Sequence, residues 1–143
     1  MCCTYKILIV NWQDEELTLR IIRTAVFIHE QQVPENLEWD EFDSISMHVL
    51  VQGSAGQPIG TARLLPDGRI GRLAVLKEWR GKGIGSAIMK RILEEMNNRG
   101  LQKAMLHAQT TVISFYERLG FQVSGKEFIE AGIPHIKMIL RLW

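Results

Sequence analysis

The order of apolar and polar positions predicts a strand, a helix and a long loop in the first third of the chain. The stretch "YKILIVNW" has the apolar, β-branched content of a strand. From Glu15 to about Ile28 the apolar side chains recur at helical spacing; they are Leu17, Ile21, Ile22, Ala25 and Val26. The next stretch, "EQQVPENLEWDEFDSIS", breaks this period with a proline and six acidic residues, so we expect a functional loop there.

A three-stranded antiparallel meander is predicted between Met47 and Leu76. The apolar runs "MHVLVQ", "IGTARLL" and "RIGRLAVL" are separated by "GSAGQP" and "PDG", which have the composition of turns. Short turns of this kind join neighbouring strands that run in opposite directions. The middle of the chain is therefore expected to form one continuous piece of sheet.

The second half of the chain predicts a β–α–β crossover followed by a closing pair of strands. After a glycine-rich bend, one apolar helix face is expected to end at Gly100; its residues are Ile84, Ile88, Met89, Ile92, Leu93 and Met96. The strand "KAMLHAQ" follows, and such a unit places its two strands parallel. "TTVISFYERLG" predicts a short helix, and "FQV" with "HIKMILRLW" an antiparallel pair. The predicted fold is α/β with a mixed sheet, in a single domain over residues 1–143.

Composition and charge narrow the classes of function. The 143 residues are 46% hydrophobic, which suits one domain with one core, and a net charge of +1 gives no reason to expect a nucleic-acid partner. The chain has no apolar run of about eighteen residues and no signal-peptide pattern at its start, so we expect a cytoplasmic protein without a membrane partner. Cys2 and Cys3 are adjacent and are interpreted as free thiols.

The bend in "VLKEWRGKGIGSAIM" has the composition of a phosphate-binding site. Amide groups in the first turn of a helix have no partner within the helix, and Gly81, Gly83 and Gly85 would let a ligand approach them closely. Arg80 and Lys82 would add electrostatic attraction. The spacing matches neither a Walker loop nor the dinucleotide fingerprint. A phosphate ester is therefore the expected ligand, with a simple helix-starting turn as the alternative.

Several motifs resemble those of the GNAT acetyltransferase superfamily. "LAVLKEWRGKGIGSAIM" resembles its acetyl-CoA signature, with Arg80, Gly83 and Gly85 in the fixed positions, and "QTTVISFYERLGF" is similar to its second signature. "VFIHEQQVPENLEWDEFD" and "KEFIEAGIPHIKM" are similar to the small bacterial YjcF-like branch. The resemblance implies a mostly antiparallel sheet of about seven strands, flanked by about four helices around a central β–α–β coenzyme-binding unit. It also implies an N-acetyltransferase that uses acetyl-CoA.

The resemblance assigns residues to the coenzyme and to catalysis. The coenzyme-binding residues that it implies are Leu73, Ala74, Val75, Arg80, Gly81, Lys82, Gly83, Ile84, Gly85, Ser86, Gln109, Tyr116 and Arg118. The Val75 N–H would face the thioester oxygen, where negative charge develops. The Tyr116 phenol would protonate the departing thiolate, with packing in the core as its structural alternative. Arg118 would reach a coenzyme phosphate or simply be solvated.

The general base and the acceptor site are less specified by the sequence. Gly71 and Arg72 stand in "RIGRLAV", where some relatives carry a glutamate, so attention moves to the acidic loop. The candidates for acceptor contact are Glu30, Asp40, Asp43, His48 and His135. Glu30 is also the candidate catalytic carboxylate, and binding and deprotonation are alternative roles for these acidic residues. A core histidine with its hydrogen bonds satisfied is the alternative for each histidine.

The leading interpretation is an N-acetyltransferase that transfers the acetyl group directly to a primary amine of a small molecule or peptide. A non-catalytic acetyl-CoA-binding sensor is the alternative, and a protein that binds a different nucleotide is a third reading. The four histidines show no paired spacing, so no metal is expected. The apolar C-terminal strand "MILRLW" could pair across a homodimer.

Overall fold

The computed structural model describes residues 4–142, so Cys2 and Cys3 lie outside the described residues. One mixed sheet has helices on both of its faces. The strands are β1 Tyr5–Val10, β2 Met47–Gly53, β3 Pro58–Leu64, β4 Arg69–Val75, β5 Lys103–Gln109, β6 Gln122–Val123, β7 Phe128–Glu130 and β8 Ile133–Arg141. The α-helices are α1 Trp12–Arg23, α2 Glu35–Glu38, α3 Ile84–Asn98 and α4 Ile113–Arg118.

Within residues 4–142 the sheet has eight strands in the order β1-β2-β3-β4-β5-β8-β6, with β7 paired to β8. Strands β2, β3 and β4 form the predicted antiparallel meander, and β4 pairs in parallel with β5 after the α3 crossover. The predicted α/β class with a mixed, mostly antiparallel sheet is confirmed. β7 is an addition to the predicted strands, because three residues are too few to show a period.

The C-terminal strand β8 is not a free edge of the sheet. Strand β5 pairs along one side of it from Lys103 to Gln109, while β6 and β7 pair along the other side. Backbone groups that are already paired within the chain cannot form a new ladder with a second copy. Strands β6 and β7 reach β8 only as far as Ile139, so a homodimer through the last residues of this strand stays a prediction.

The first predicted helix consists of two different helices. Asn11 follows β1 and is the N-cap of α1, because its side-chain oxygen accepts a hydrogen bond of 2.8 Å from the Asp14 N–H. The predicted strand had extended through Trp12, which is instead the first residue of α1. Beyond Arg23 the chain continues as a π-helix over Thr24–Glu30, and the Gln31 N–H donates to the Val26 carbonyl at 3.0 Å. This wider helix carries the chain to the side of the sheet where β4 ends.

The core lies on both faces of the sheet. On one face, α3 buries Ile84, Ile88, Met89, Ile92 and Met96 against β2, β3, β4 and β5. On the other face, α1 and the π-helix bury Leu19, Ile22, Val26 and Phe27, together with Leu50 and Ala74 of the sheet. A sheet that is covered on both faces can present ligand-binding groups only at its edges or where its strands separate. The second possibility occurs between β4 and β5.

Strands β4 and β5 separate because β4 carries an irregularity. Arg72 has φ +53°, and the register between β3 and β4 shifts by one residue between Thr61 and Arg63. The recorded β4–β5 register ends at the pair Ile70 and Leu106, although both strands continue. The bulge therefore directs the last residues of β4 away from β5, which leaves a gap in an otherwise continuous sheet.

A buried ionic network fixes the loop between the π-helix and β2. Arg23 is 0% exposed, and its guanidinium donates to the Glu38 carboxylate and the Asp43 carboxylate, each at 2.7 Å. Arg63 also donates to Asp43 Oδ1, at 3.0 Å, and to Asp40 Oδ1, at 2.7 Å. Burial acts to raise the pKa of Asp43, but the adjacent arginines outweigh it and hold that pKa below 3.8.

We expect Asp43→Asn to destabilise the fold by about 3–5 kcal/mol at neutral pH, because it removes the carboxylate that the buried guanidinium groups of Arg23 and Arg63 share. Urea denaturation followed by circular dichroism measures this difference. The matched control is Glu16→Gln, which breaks the exposed pair with Arg20 and should change the free energy of unfolding by less than about 1 kcal/mol.

The contribution of Asp43 should also depend on pH. Its folded pKa is lowered, so the stabilisation is fully present above pH 3.8 and is lost as the pH falls through the folded value. The difference between wild type and Asp43→Asn should therefore shrink in acid. Equal stability of the two proteins at pH 7 would contradict this account of the network.

Candidate active site

The gap between β4 and β5 opens into a cavity of about 890 Å³. The glycine-rich bend at 80–86, helix α4 and the segment 37–42 line this cavity. The β7–β8 hairpin and the end of β5 complete its wall, through His107, Gln109, Glu130 and His135. Segments far apart in sequence therefore share one continuous cavity, which is large enough for a cofactor arm and part of a second substrate.

The bend at 80–86 exposes the first amides of α3. Gly81 and Gly83 have φ +75° and +78°, and a Cβ added to either would meet nothing within 4 Å. The first hydrogen bond of the helix runs from the Ala87 N–H to the Gly83 carbonyl at 3.0 Å. The N–H groups of residues 84–86 precede that bond and so have no acceptor within the helix. Lys82 is exposed at this bend, and the arrangement suits an anion.

Arg80 joins the bend to the π-helix. Its guanidinium makes a two-pronged ion pair with the Glu30 carboxylate, at 2.5 and 2.7 Å, and its Nε donates to the Val75 carbonyl at 2.9 Å. The hydrogen bonds from Arg80 lower the pKa of Glu30, and the same contact raises the pKa of Arg80. A carboxylate held in this way is a poor proton acceptor. The geometry therefore does not support Glu30 as the catalytic base.

The last residues of β4 direct backbone groups toward the gap. The Leu76 N–H donates to the Ile59 carbonyl at 2.9 Å, so this pair faces β3. Backbone groups alternate in direction along a strand, and the N–H and carbonyl of Val75 consequently face the β5 side. The Val75 carbonyl is bound by Arg80. The Val75 N–H is thus directed to the cavity, and Leu73 also lines it, whereas Ala74 is buried against α1.

Helix α4 supplies aromatic side chains to the cavity beside the glycine-rich bend. Tyr116 lines the cavity while remaining only 9% exposed, and burial raises its pKa to about 12. Its ring packs at right angles to Phe115, with centroids 5.0 Å apart, and Phe115 would lie 3.4 Å from a Cβ at Gly85. Arg118 is exposed beside them and lines the cavity. The phenol therefore keeps its proton throughout the neutral pH range.

Gln109 stands at the end of β5 and contacts the loop opposite. Its Nε2 donates to the Gln31 side-chain oxygen at 2.8 Å, and both residues line the cavity. This hydrogen bond crosses the gap between β5 and the residue after the π-helix. It places one amide group of each residue beside the space that the β4 bulge opens.

The acidic and histidine candidates divide between the cavity and the core. Asp40 lines the cavity, but Asp43 is 2% exposed and both of its carboxylate oxygens contact arginines. His48 is 0% exposed, its Nε2 donates to the Asp43 carbonyl at 2.8 Å, and burial lowers its pKa. These two side chains hold the loop against the sheet, so we no longer assign them to acceptor contact. His135 does line the cavity.

A polar cluster that sequence reasoning missed lies beside His135. Arg69 Nη2 donates to His107 Nδ1 at 2.9 Å, and Glu130 Oε1 lies 3.3 Å from that nitrogen and 4.0 Å from His135 Nε2. Burial, with the charge of Arg69, lowers the pKa of His107, so its ring is neutral and Nδ1 accepts. The four side chains come from β4, β5, β7 and β8, and only tertiary structure brings them together. Glu130 stands in "KEFIEAGIPH", but its strand was not predicted.

Within residues 4–142, no three His, Cys, Asp or Glu side chains are arranged to hold a metal ion. Over the same described residues, no helix has the length and apolar content needed to cross a lipid bilayer.

The comparisons with known proteins agree with this geometry. The acetyltransferase (GNAT) domain family matches residues 11–142. Among proteins of Bacillus subtilis, the uncharacterised protein YyaT is 42% identical, with 82% of each chain covered, and the uncharacterised N-acetyltransferase YjcF is 38% identical, with 82% of this chain and 86% of YjcF covered. The crystal structure of an acyl-CoA N-acyltransferase from Pseudomonas aeruginosa superposes with a TM-score of 0.85 and 30% identity, covering 95% of this chain and 99% of that one.

The fold and the family match place the chain in the acyltransferase class. The chain belongs to the GNAT acetyltransferase superfamily, and the resemblance inferred from its motifs is confirmed. The superfamily gives a reason for the gap, since its fold binds acyl-CoA.

We expect Arg69→Met to raise the pKa of His107. The substitution removes a cation that disfavours the imidazolium and leaves the Glu130 carboxylate, which favours it. An NMR titration of the histidine Cε1 protons measures the shift. Arg91→Met on α3 is the matched control, because its partners are Glu94 and Glu95 on the same helix. An unchanged or lower value in Arg69→Met would show that the arginine does not control this imidazole.

Proposed function

We propose that this protein is an N-acetyltransferase that transfers the acetyl group of acetyl-CoA directly to a primary amine of a small molecule or peptide, within one domain over 1–143. The observation that carries the proposal is a single cavity that joins the exposed α3 amides to the carboxylate and imidazole groups of the β7–β8 hairpin. The α3 amides suit a diphosphate, and the carboxylate and imidazole groups of the hairpin suit an amine. A direct transfer needs both substrates side by side.

The coenzyme would lie along the gap. Its diphosphate would accept hydrogen bonds from the N–H groups of Ile84, Gly85 and Ser86, with Gly81 and Gly83 giving the close approach. Its pantetheine arm would follow Leu73 to Val75 toward Gln109, and Arg118 would contribute at the phosphate end. The guanidinium of Arg80 is held by Glu30 and Val75, so we propose that it shapes the bend and adds positive potential there.

The chemistry would use few side chains. The amine nitrogen attacks the thioester carbon, the N–C bond forms, and the C–S bond breaks with its electron pair leaving on sulfur. The Val75 N–H would stabilise the negative charge on the thioester oxygen. Tyr116 would donate a hydrogen bond to the departing sulfur, since its raised pKa keeps the phenol protonated. Asp40 and His135 remain the proposed acceptor-side contacts from the sequence, now joined by Glu130.

The deciding experiment is thiol release from acetyl-CoA in the presence of polyamines, amino sugars, aminoglycosides, amino acids and peptides. Turnover with any of them, and an N-acetylated product by mass spectrometry, would support the proposal. Tight CoA binding without turnover on the panel would favour the acetyl-CoA sensor. No binding of CoA, with stabilisation by another nucleotide instead, would reject both readings.

We expect Gly83→Asp to weaken CoA binding by on the order of a hundredfold or more, because it puts a negative charge and a side chain where phosphate oxygens would lie. Isothermal titration calorimetry with CoA measures the affinity. Gly56→Asp is the matched control, since Gly56 also has a positive φ and open space around its Cα but lies in the β2–β3 turn. Normal CoA affinity in a folded Gly83→Asp protein would mean that the diphosphate binds elsewhere.

Tyr116→Phe should lower kcat by about a hundredfold while leaving the affinity for CoA nearly unchanged. The reason is the loss of a hydrogen-bond donor that acts mainly as the thiolate departs. Tyr5→Phe on β1 is the control, because the chain contains two tyrosines. Because the pKa of Tyr116 is raised to about 12, the phenol does not titrate between pH 8 and about 10. If wild-type activity falls in that range, the pH profile of Tyr116→Phe should fall with the same shape. Unaltered turnover would remove the phenol from the mechanism.

A further inference from the structure

The orientation of the His135 ring is determined by one backbone contact. The residue is 8% exposed, and its Nδ1 lies 2.7 Å from the Ile133 carbonyl oxygen. A carbonyl oxygen only accepts hydrogen bonds, so Nδ1 carries the hydrogen. In the neutral ring the other nitrogen, Nε2, then has an available lone pair. The β7–β8 hairpin thus presents a proton acceptor to the cavity that His135 lines.

Glu130 supplies a second acceptor at a suitable distance. Its Oε1 lies 4.0 Å from His135 Nε2, which is too long for a direct hydrogen bond. One nitrogen placed about 2.8 Å from both atoms would donate to each, with an angle of roughly 90° between the two bonds. An ammonium group has three such donors. The pair therefore has the spacing to hold the amine of an acceptor.

The surrounding residues hold this pair in place. The His135 ring stacks on Phe128, with centroids 6.0 Å apart and planes at 24°. Ala131 and Gly132, with φ +52° and +77°, form the tight turn that brings Glu130 of β7 beside β8. In register, His135 lies opposite Gln109, at the end of β5 where the gap opens. Its position is therefore level with the part of the gap where the thioester would lie.

Among the charged and titratable groups of this cluster, His135 is the one best placed to act as the base. Glu130 faces it from β7, and His107 with Arg69 faces it from β5 and β4. His107 Nδ1 already accepts from Arg69, so that acceptor is not free. With its hydrogen on Nδ1, the His135 ring offers the Nε2 lone pair as a proton acceptor. Glu130 is better suited to holding the cationic nitrogen.

We propose that His135 is the general base of the transfer and that Glu130 binds the same acceptor nitrogen. This inference rests on the proposed function. His135 Nε2 takes one proton from the ammonium group, and the freed lone pair attacks the thioester carbon. Of the two protons that the nitrogen loses, one passes through His135 to solvent. The other ends on the CoA sulfur as the C–S bond breaks.

The kinetic test uses wild type and three variants with an amine that the panel identifies. His135→Asn keeps a side-chain N–H for the Ile133 carbonyl but removes Nε2. It should lower kcat about a hundredfold and abolish the acidic limb of the kcat/KM profile. Glu130→Gln should mainly raise KM for the amine, by roughly tenfold. His29→Asn, on the exposed side of the π-helix, should match wild type.

Addition of imidazole to His135→Asn should restore part of its rate, which a purely structural role would not produce. An acidic limb that persists in folded His135→Asn, with less than a threefold change in kcat, would overturn the inference. Wild type with no turnover on any amine would instead be a failure of the proposed function. The two failures are therefore distinguishable.

An NMR test on wild type needs neither turnover nor a variant that folds. The ¹⁵N shifts of His135 in the CoA-saturated protein should show a protonated Nδ1 and an unprotonated Nε2. Ethylammonium chloride should move the Nε2 resonance, whereas tetramethylammonium chloride, which has no N–H donor, should not. The opposite tautomer, or an Nε2 resonance that ignores ethylammonium, would refute the proposal.

Discussion

The site depends on one constraint in the sheet, the early end of pairing between two parallel strands. Because Arg72 adopts φ +53° in β4, the strand leaves its partner after Ile70 instead of continuing alongside β5. Where β4 and β5 separate, their backbone groups face a cavity instead of forming hydrogen bonds between the strands. The same gap gives the exposed start of α3 and the β7–β8 hairpin access to a common space. An uninterrupted pair of strands would close the cavity.

The buried ionic network also holds Arg72, the residue at which β4 bulges. The Arg72 guanidinium donates to the Glu38 carbonyl at 3.0 Å and to Asp40 at 3.3 Å, in the loop that Arg23 anchors. Desolvation makes such a network a modest source of net stability, but breaking it leaves uncompensated charge. Its main consequence is geometric, since the 37–42 segment of the cavity wall and the bulge that opens the gap are held to each other.

The parts of the fold that were predicted correctly are those with a local cause. The strand–bend–helix–strand unit follows from hydrophobic period and from glycines, so β4, α3 and β5 could be predicted closely. The assignments that changed involve partners far apart in sequence. Glu30 looked like an available carboxylate because nothing near it in the chain shows that Arg80, fifty residues later, binds it. Asp43 and His48 changed for the same reason.

By itself, the sequence determined the class of fold, the glycine-rich bend that opens α3 and the superfamily, because those depend on residues that are neighbours or lie within one element. Only the tertiary structure decided which acidic and imidazole side chains face the cavity. That choice depends on burial and on pairing between strands, as when β7 and β8 bring Glu130 within 4.0 Å of His135. A side chain becomes a base or a structural anchor through the partners that the folded chain gives it.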